Sequence, residues 1–239
     1  MASAVPRREE SAIENHGPLA KRKEVLARYH RLRQIGKQHH HELLKLVSGD
    51  AMLHQARRLG LARGKTLILD DIDEMTYIYD LLIHTAPPGR SRPIDRYARS
   101  AGIVPGSDEA LVLEAMRAAR FSILAVERRH EAAGLVATDL LRRTEVWLVD
   151  IGLESSLPAG AVIATRIYAP ERFSMTAGVN VPFDPEMVED LHSALLRHLA
   201  ELDLVKLIDD RRFAELIYRV ALSGGLMDRV SYQDPAELP

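Results

Sequence analysis

From Pro18 to Val47 the apolar positions recur at steps of three, four or seven, with Val25, Tyr29, Leu32, His39, Leu43 and Leu46 on one stripe. A 3.6-residue period of this kind marks an amphipathic helix, so one long helix is expected here. Its other face is basic, carrying Lys21, Arg22, Lys23, Arg28, Arg31, Arg33 and Lys37. Gly36 is its weak point and an expected bend, because glycine costs a helix interior about 1 kcal/mol relative to alanine. Ser48-Gly49-Asp50 ends the helix and offers an Asp cap to a second one, about Ala51 to Leu59, which stops at Gly60. Thr66–Asp70 reads as a short strand. Asp71 or Asp73 then caps a helix to about His84, with Met75, Ile78, Tyr79 and Leu82 inward. Pro87-Pro88-Gly89 breaks it, Pro93 opens a short helix, and Ser107 caps another over Asp108–Arg120.

The pattern then changes to short runs separated by turn residues. Phe121–Arg129, Leu135–Leu141, Glu145–Ile151, Ala161–Ala169 and Phe173–Val181 read as five strands. This spacing suggests a small antiparallel barrel, closed or half closed, or a strongly curved sheet. Asp184 and Pro185 then start a helix with Met187, Leu191, Leu195, Leu199 and Leu202 on its apolar side. A last helix carries Phe213, Leu216, Ile217 and Val220 and ends at Gly224-Gly225. The expected organisation is a disordered tail over 1–17, a mainly helical region over 18–120, a barrel-like unit over 121–183, a helical pair over 184–225 and a loose tail over 226–239. The fold class is α+β, in one integrated unit, since the only candidate linkers are short Pro/Gly turns.

Composition adds bounds. The 239 residues are 46% apolar, enough for a real core, and contain no cysteine. Disulfides, thiolate metal sites and a cysteine nucleophile are therefore excluded. No apolar stretch approaches the ~18 residues of a membrane span, and the first 20 residues show no signal-peptide core. A cytoplasmic protein is expected. The formal charge of −2 hides a split: residues 1–65 hold 14 Lys and Arg against 6 Asp and Glu, and residues 66–239 hold 18 against 28. A basic front and an acidic remainder point either to an anionic partner for the front or to docking of the two parts on each other.

Candidate motifs were weighed on their spacing. Gly60-Leu61-Ala62-Arg63-Gly64-Lys65-Thr66 imitates a phosphate-binding loop, but only three residues precede the Gly-Lys-Thr and a strand follows where a helix is needed. Ala56 to Arg63 imitates a helix-turn-helix, yet its second helix would run into Asp70, Asp71, Asp73 and Glu74, which repel phosphate. Adjacent helix residues diverge by about 100°, so His39-His40-His41 cannot converge on one metal. His39 with Glu42 has workable spacing but supplies only two ligands, fewer than a zinc site uses. His39 is expected half-buried at a helix seam. The Asp70–Glu74 carboxylates lack a calcium loop's turn glycine and read as a solvated helix start. Trp147 reads as core. Arg166 and Arg172 read as solvent-facing strand residues.

Several stretches carry a resemblance. They are Ile94-Asp95-Arg96-Tyr97, Pro105-Gly106-Ser107-Asp108-Glu109, Ala118-Ala119-Arg120-Phe121-Ser122, Asp139-Leu140-Leu141-Arg142, Leu148-Val149-Asp150-Ile151-Gly152 and Phe173-Ser174-Met175-Thr176-Ala177-Gly178. Over roughly residues 20–183 the chain resembles an uncharacterised group of bacterial proteins. The resemblance implies a bacterial origin and a shared fold, and says nothing about chemistry. No catalytic set, cofactor or metal site is expected. The leading expectation is a non-enzymatic binding or adaptor protein whose basic helix meets an acidic protein or nucleic acid through Lys21, Arg22, Lys23, Arg28, Arg31, Arg33 and Lys37. The alternative is a metal-assisted hydrolase using His39, Glu42 and the Asp70–Glu74 carboxylates. The narrow apolar face of the first helix also suits a homo-oligomeric seam.

Overall fold

A computed structural model describes residues 18–71, 74–87, 89–183 and 211–223. The chain begins with the expected long helix, α1 (Pro18–Lys45), which carries through Gly36 without interruption. Helix α2 (Gly49–Leu59) is capped by Ser48, not Asp50: the Ser48 hydroxyl accepts from Ala51 N at 3.2 Å, and Asp50 sits in the first turn. Gly60 closes α2 with φ +84°, a left-handed conformation that glycine adopts without strain.

The strand expected over Thr66–Asp70 shortens to one arm of a tight hairpin, β1 (Ala62–Arg63) against β2 (Thr66–Leu67). Helices α3 (Glu74–His84), α4 (Pro93–Ser100) and α5 (Asp108–Arg117) follow. Ser107 caps α5 as expected, accepting from Ala110 N at 3.2 Å.

Five strands then form one antiparallel sheet in the order β5-β4-β3-β6-β7: β3 (Arg120–Arg129), β4 (Leu135–Asp139), β5 (Thr144–Leu148), β6 (Val162–Tyr168) and β7 (Met175–Phe183). The expected barrel is not closed. No continuous ladder joins the edge strands β5 and β7; a single parallel bridge, Leu148 to Ser174, brings the two edges together at one end. Helix α6 (Ile151–Ser156) lies between β5 and β6, and α7 (Arg211–Ser223) is the last described element. The helix expected after Asp184, both tails and Gly224-Gly225 lie outside the described residues.

Strand register assigns the two sheet faces. Leu124, Ala137, Val146, Leu148, Ile163 and Ile167 form one apolar cluster, onto which Leu153 and Leu157 of and beside α6 pack. The other face carries Phe121, Ala164 and Val181, which join residues of α2, α3 and α7. Tyr168 and Met175 join Tyr29, Leu32, Ile35 and Leu43 of α1 with residues of α4 and α5. Tyr29, Leu32, Ile35 and Leu43 of α1 are thus spent on its own body, while Leu46 stays exposed.

The expected inward face of α3 needs correcting. Tyr77, Ile78, Asp80, Leu81, Ile83 and His84 are buried, whereas Met75, Tyr79 and Leu82 are only partly so. The helix is packed on more than one side, so its polar positions are covered as well as its apolar ones.

Candidate ligand-binding site

The covered polar face of α3 meets α1 and the sheet. Along α1, Arg33, Gly36 and His40 are spaced at three and four, so they share one side. On α3, Asp80 and His84 are four apart and also share a side. From β6, Arg166 and Tyr168 project to the helix-covered face, two residues apart as strand alternation requires. At Gly36 any Cβ would lie 2.8 Å from the Tyr168 hydroxyl oxygen. The glycine therefore admits the tyrosine rather than bending the helix.

Most polar groups at this seam are satisfied. Arg166, 5% exposed, donates through Nε and Nη2 to the two Asp80 oxygens at 2.7 and 2.9 Å. Tyr218 of α7 donates to Asp80 at 2.8 Å. The Arg166 guanidinium also lies 5.7 Å from the Phe121 ring centre, in cation–π range. Burial and the neighbouring Asp80 carboxylate push the Tyr218 phenol well above its ordinary range. Arg33 donates to the Thr176 carbonyl and to Tyr168, neither of them a carboxylate.

His84 is the exception. It is 5% exposed, and neither ring nitrogen has a hydrogen-bond partner among the described residues. A neutral imidazole has one donor and one acceptor, and each buried group left unmade costs about 1–3 kcal/mol. The His40 ring stands nearly perpendicular to it at 6.3 Å between centroids. Burial holds both rings in the neutral form: His40 falls to about 4, helped by the Arg33 charge, and His84 lies well below the ordinary range, with Arg166 adding to the effect. Arg166 spends Nε and Nη2 on Asp80. The seam thus gathers two neutral imidazoles and two guanidinium groups where water is largely excluded.

The residues expected to form a polyanion face are placed otherwise. Arg22 bonds Glu154 at 2.8 Å and the Ala132 carbonyl at 3.2 Å. Arg28 grips both Asp108 oxygens at 2.7 Å and Glu171 at 2.6 Å, and Arg31 meets Asp108 at 2.6 Å. Arg33 points inward. Lys21, Lys23 and Lys37 are exposed, but Lys21 and Lys23 are two residues apart and project from opposite sides of the helix. Four of the seven cations are therefore already engaged within the chain. The docking branch of the charge-split argument accounts for them better than an external polyanion.

The alternative metal set is not assembled. His39 is buried, with Nε2 at 2.9 Å from the Glu109 carbonyl and Nδ1 at 3.1 Å from the Tyr97 hydroxyl. A carbonyl only accepts, so Nε2 carries the proton and Tyr97 donates to Nδ1. Glu42 is exposed and paired with Lys45 at 2.7 Å. Glu74 turns back to accept from Asp70 N at 2.8 Å. Among the described residues no group of three or more His, Asp or Glu could hold a metal ion.

The two loop motifs also resolve. Gly64-Lys65 is the tip of the β1–β2 hairpin, so Lys65-Thr66 opens no helix, and no second helix of a helix-turn-helix starts at Ala62. Trp147, expected in the core, is partly buried against it, donating to the Ala133 carbonyl at 2.7 Å and stacking on His130 at 4.1 Å. Arg172 is exposed as expected, but Arg166 is not. Strand alternation alone does not reveal that helices cover the face from which Arg166 projects.

A five-stranded antiparallel sheet layered with helices, enclosing a polar seam, defines an α+β protein without an assembled catalytic set among its described residues. The chain belongs to a family of unknown function (DUF7986), whose model matches residues 23–219. No curated protein and no solved structure matches it. Among the described residues no helix is long and apolar enough to cross a membrane.

Proposed function

We infer that this is a non-enzymatic binding protein that takes a small polar ligand between α1 and α3, not a partner along the outer face of α1. The single observation supporting this is His84, buried with both nitrogens unpartnered. A buried polar group without partners is rare in a finished fold and calls for an occupant. The neighbouring groups suit recognition better than turnover. His39 is locked in one tautomer by two hydrogen bonds, and Asp80 is saturated by Arg166 and Tyr218. Neither is free to exchange protons with a substrate. An acidic protein or nucleic acid on Lys21, Lys23 and Lys37 becomes the lesser reading. The expected cytoplasmic setting and bacterial origin belong to this proposal too, supported by the absence of cysteine and by the resemblance noted above.

Native mass spectrometry of the full chain, purified without denaturation, tests the reading. The expected result is a small molecule retained by the wild type, released chemically unchanged, and absent from His84→Leu. A wild-type chain that carries nothing, and whose His84 ring-nitrogen NMR signals ignore a panel of polar small molecules, would overturn it.

A further inference from the structure

We propose that the α1–α3 seam binds a small oxyanion, held by the imidazoles of His84 and His40 with Arg33 and Arg166 as counter-charges. The inference rests on the binding reading above and adds the ligand's charge.

The first argument is the inventory of donors. A carboxylate offers acceptors only and hydrogen phosphate offers acceptors with a hydroxyl donor besides, and this seam offers unused donors with one imidazole acceptor. Whichever tautomer His84 adopts, one nitrogen is a donor without a partner. Arg166 brings a guanidinium whose Nε and Nη2 fill both Asp80 oxygens, so its charge is present beside the rings. The carboxylates in reach are already committed. Asp80 accepts from Arg166 and Tyr218, and Asp95 accepts from Arg92 at 2.7 and 3.0 Å and from Arg117 at 3.3 Å. Asp150, the carboxylate nearest in effect to Arg33, caps α6 through Leu153 N at 3.2 Å and accepts from Thr176 at 2.7 Å.

The second argument is the field. Arg166 and Arg92 both act on His84, and Arg33 acts on His40. These cations outweigh Asp80 at His40 and Asp95 at His84, so the net field beside the rings favours negative charge. A neutral ligand would satisfy the imidazole nitrogens but would leave that field unused. Charge-assisted hydrogen bonds from guanidinium to an oxyanion are also the stronger kind. The orphaned Gln55 Nε2 and Asn180 Oδ1 play no part. Asn180 pairs with Thr165 across β6 and β7 and so shares the sheet face opposite to Arg166.

The test compares acetate with acetamide, which share shape but not charge, and adds inorganic phosphate. Thermal unfolding of the full chain is followed at constant ionic strength in the wild type, His84→Leu and His40→Leu. Saturable stabilisation by acetate or phosphate is expected, with acetamide at least tenfold weaker and the response lost in His84→Leu. That variant removes no folded-state hydrogen bond, so it folds and reports binding alone. His40→Leu should weaken the response by a smaller factor. Saturable stabilisation by acetamide with none by acetate or phosphate would overturn the oxyanion and leave the binding reading standing. Silence with all three probes, together with a wild type that retains no molecule by native mass spectrometry, would overturn both.

Discussion

Two buried polar clusters lie on opposite faces of the same sheet, and they are satisfied to different degrees. On the α6 side, Asp139 is fully buried yet fully served. Its oxygens accept from Ser122 Oγ at 2.9 Å, from Leu141 N and Arg142 N at 3.1 and 3.2 Å, and at longer range from Arg120 and Arg142, both at 3.4 Å. On the helix side, His84 is buried too and has no hydrogen-bond partner among the described residues. The difference lies in who supplies the partners. Asp139 ends β4, and the turn that follows aims its own amides back at the carboxylate, so one local segment makes both halves of the bonds. His84 ends a helix and faces α1, whose backbone groups are consumed within its own hydrogen-bond ladder. A strand end followed by a turn can meet a buried charge from its own sequence; a helix face depends on what comes to it.

The largest effect expected from this contrast is at Asp139. Asp139→Ala strips partners from two turn amides and a buried hydroxyl and leaves Arg142 with less to hold. Loss of such a network costs about 3 kcal/mol, readable as a lower midpoint in urea with an unchanged slope. A loss below ~1 kcal/mol would mean that water serves the turn as well as the carboxylate does, and the cluster would then not differ in kind from the His84 seam.

The second effect is a pH dependence confined to the helix side. His40 falls to about 4 and His84 lies well below its ordinary range, both chiefly through burial. The unfolded chain, with histidines near 6.5, binds more protons than the folded one between these values. Stability is therefore full above about pH 6.5 and is lost as pH falls toward 4. After discounting for the partial exposure of His40, that ring contributes about 2 kcal/mol to the loss. The charged and titratable groups facing the two rings are Arg33 and His39 on α1, Asp80 on α3, Arg92 and Asp95 beside and on α4, and Arg166 on β6. Asp95 is held below the usual carboxylate range by its hydrogen bond to Arg92, so its own losses begin below the histidine window. Urea midpoints at pH 7 and pH 4.5 should differ in the wild type, and the difference should shrink in His40→Leu, the remainder belonging to His84. Parallel losses in both would assign the acid sensitivity elsewhere.

The parts of this contrast that could be read from sequence are the local ones. The long helix, the Ser107 cap and the five strands follow from periodicity and turn residues, which report contacts a few positions apart. Arg166, Asp80 and Tyr218 meet across separations of 86 and 138 residues, and no spacing rule reaches that far. Their burial also depends on α3 being covered on more than one side. An amphipathic template assumes one wet face, so it offers Met75, Ile78, Tyr79 and Leu82 as the inward set and gives no reason to bury Asp80 and His84. The charge split was legible as a sum, whereas its resolution into Arg22–Glu154, Arg28–Asp108 and Arg28–Glu171 needed the packing of α1 on the body. The sequence does carry one trace of the seam: Asp80 and His84 stand four apart in a run that is otherwise apolar or aromatic.

A smaller effect, of opposite sign to that at Asp139, is expected at His84 itself. In ligand-free protein, His84→Leu replaces an orphaned polar ring by an apolar group of similar size and should stabilise by about 1 kcal/mol. Calorimetry after exhaustive dialysis checks the sign. Destabilisation of that preparation would mean that His84 has an ordered partner in the resting protein, and the two clusters would then be alike.

The smallest effect tests the wall of the seam. At Gly36 an alanine gains about 1 kcal/mol of helix propensity but sets its Cβ 2.8 Å from the Tyr168 hydroxyl and 3.8 Å from Val112 Cγ1. Overpacking of this kind costs roughly 1–3 kcal/mol, so Gly36→Ala should be slightly destabilising, by under about 1 kcal/mol net. Tyr168→Phe removes the offending oxygen along with the hydrogen bond from Arg33. In that background the alanine should stabilise, and the double-mutant cycle should show coupling of about 1–2 kcal/mol. Strict additivity would mean that the tyrosine is not what requires the glycine. Coupling would place Tyr168 as the fixed side of the seam, pressed between the α1 backbone and the Arg33 guanidinium. The helix side of the sheet would then owe its close approach to one glycine, while the α6 side owes its order to a turn that serves its own carboxylate.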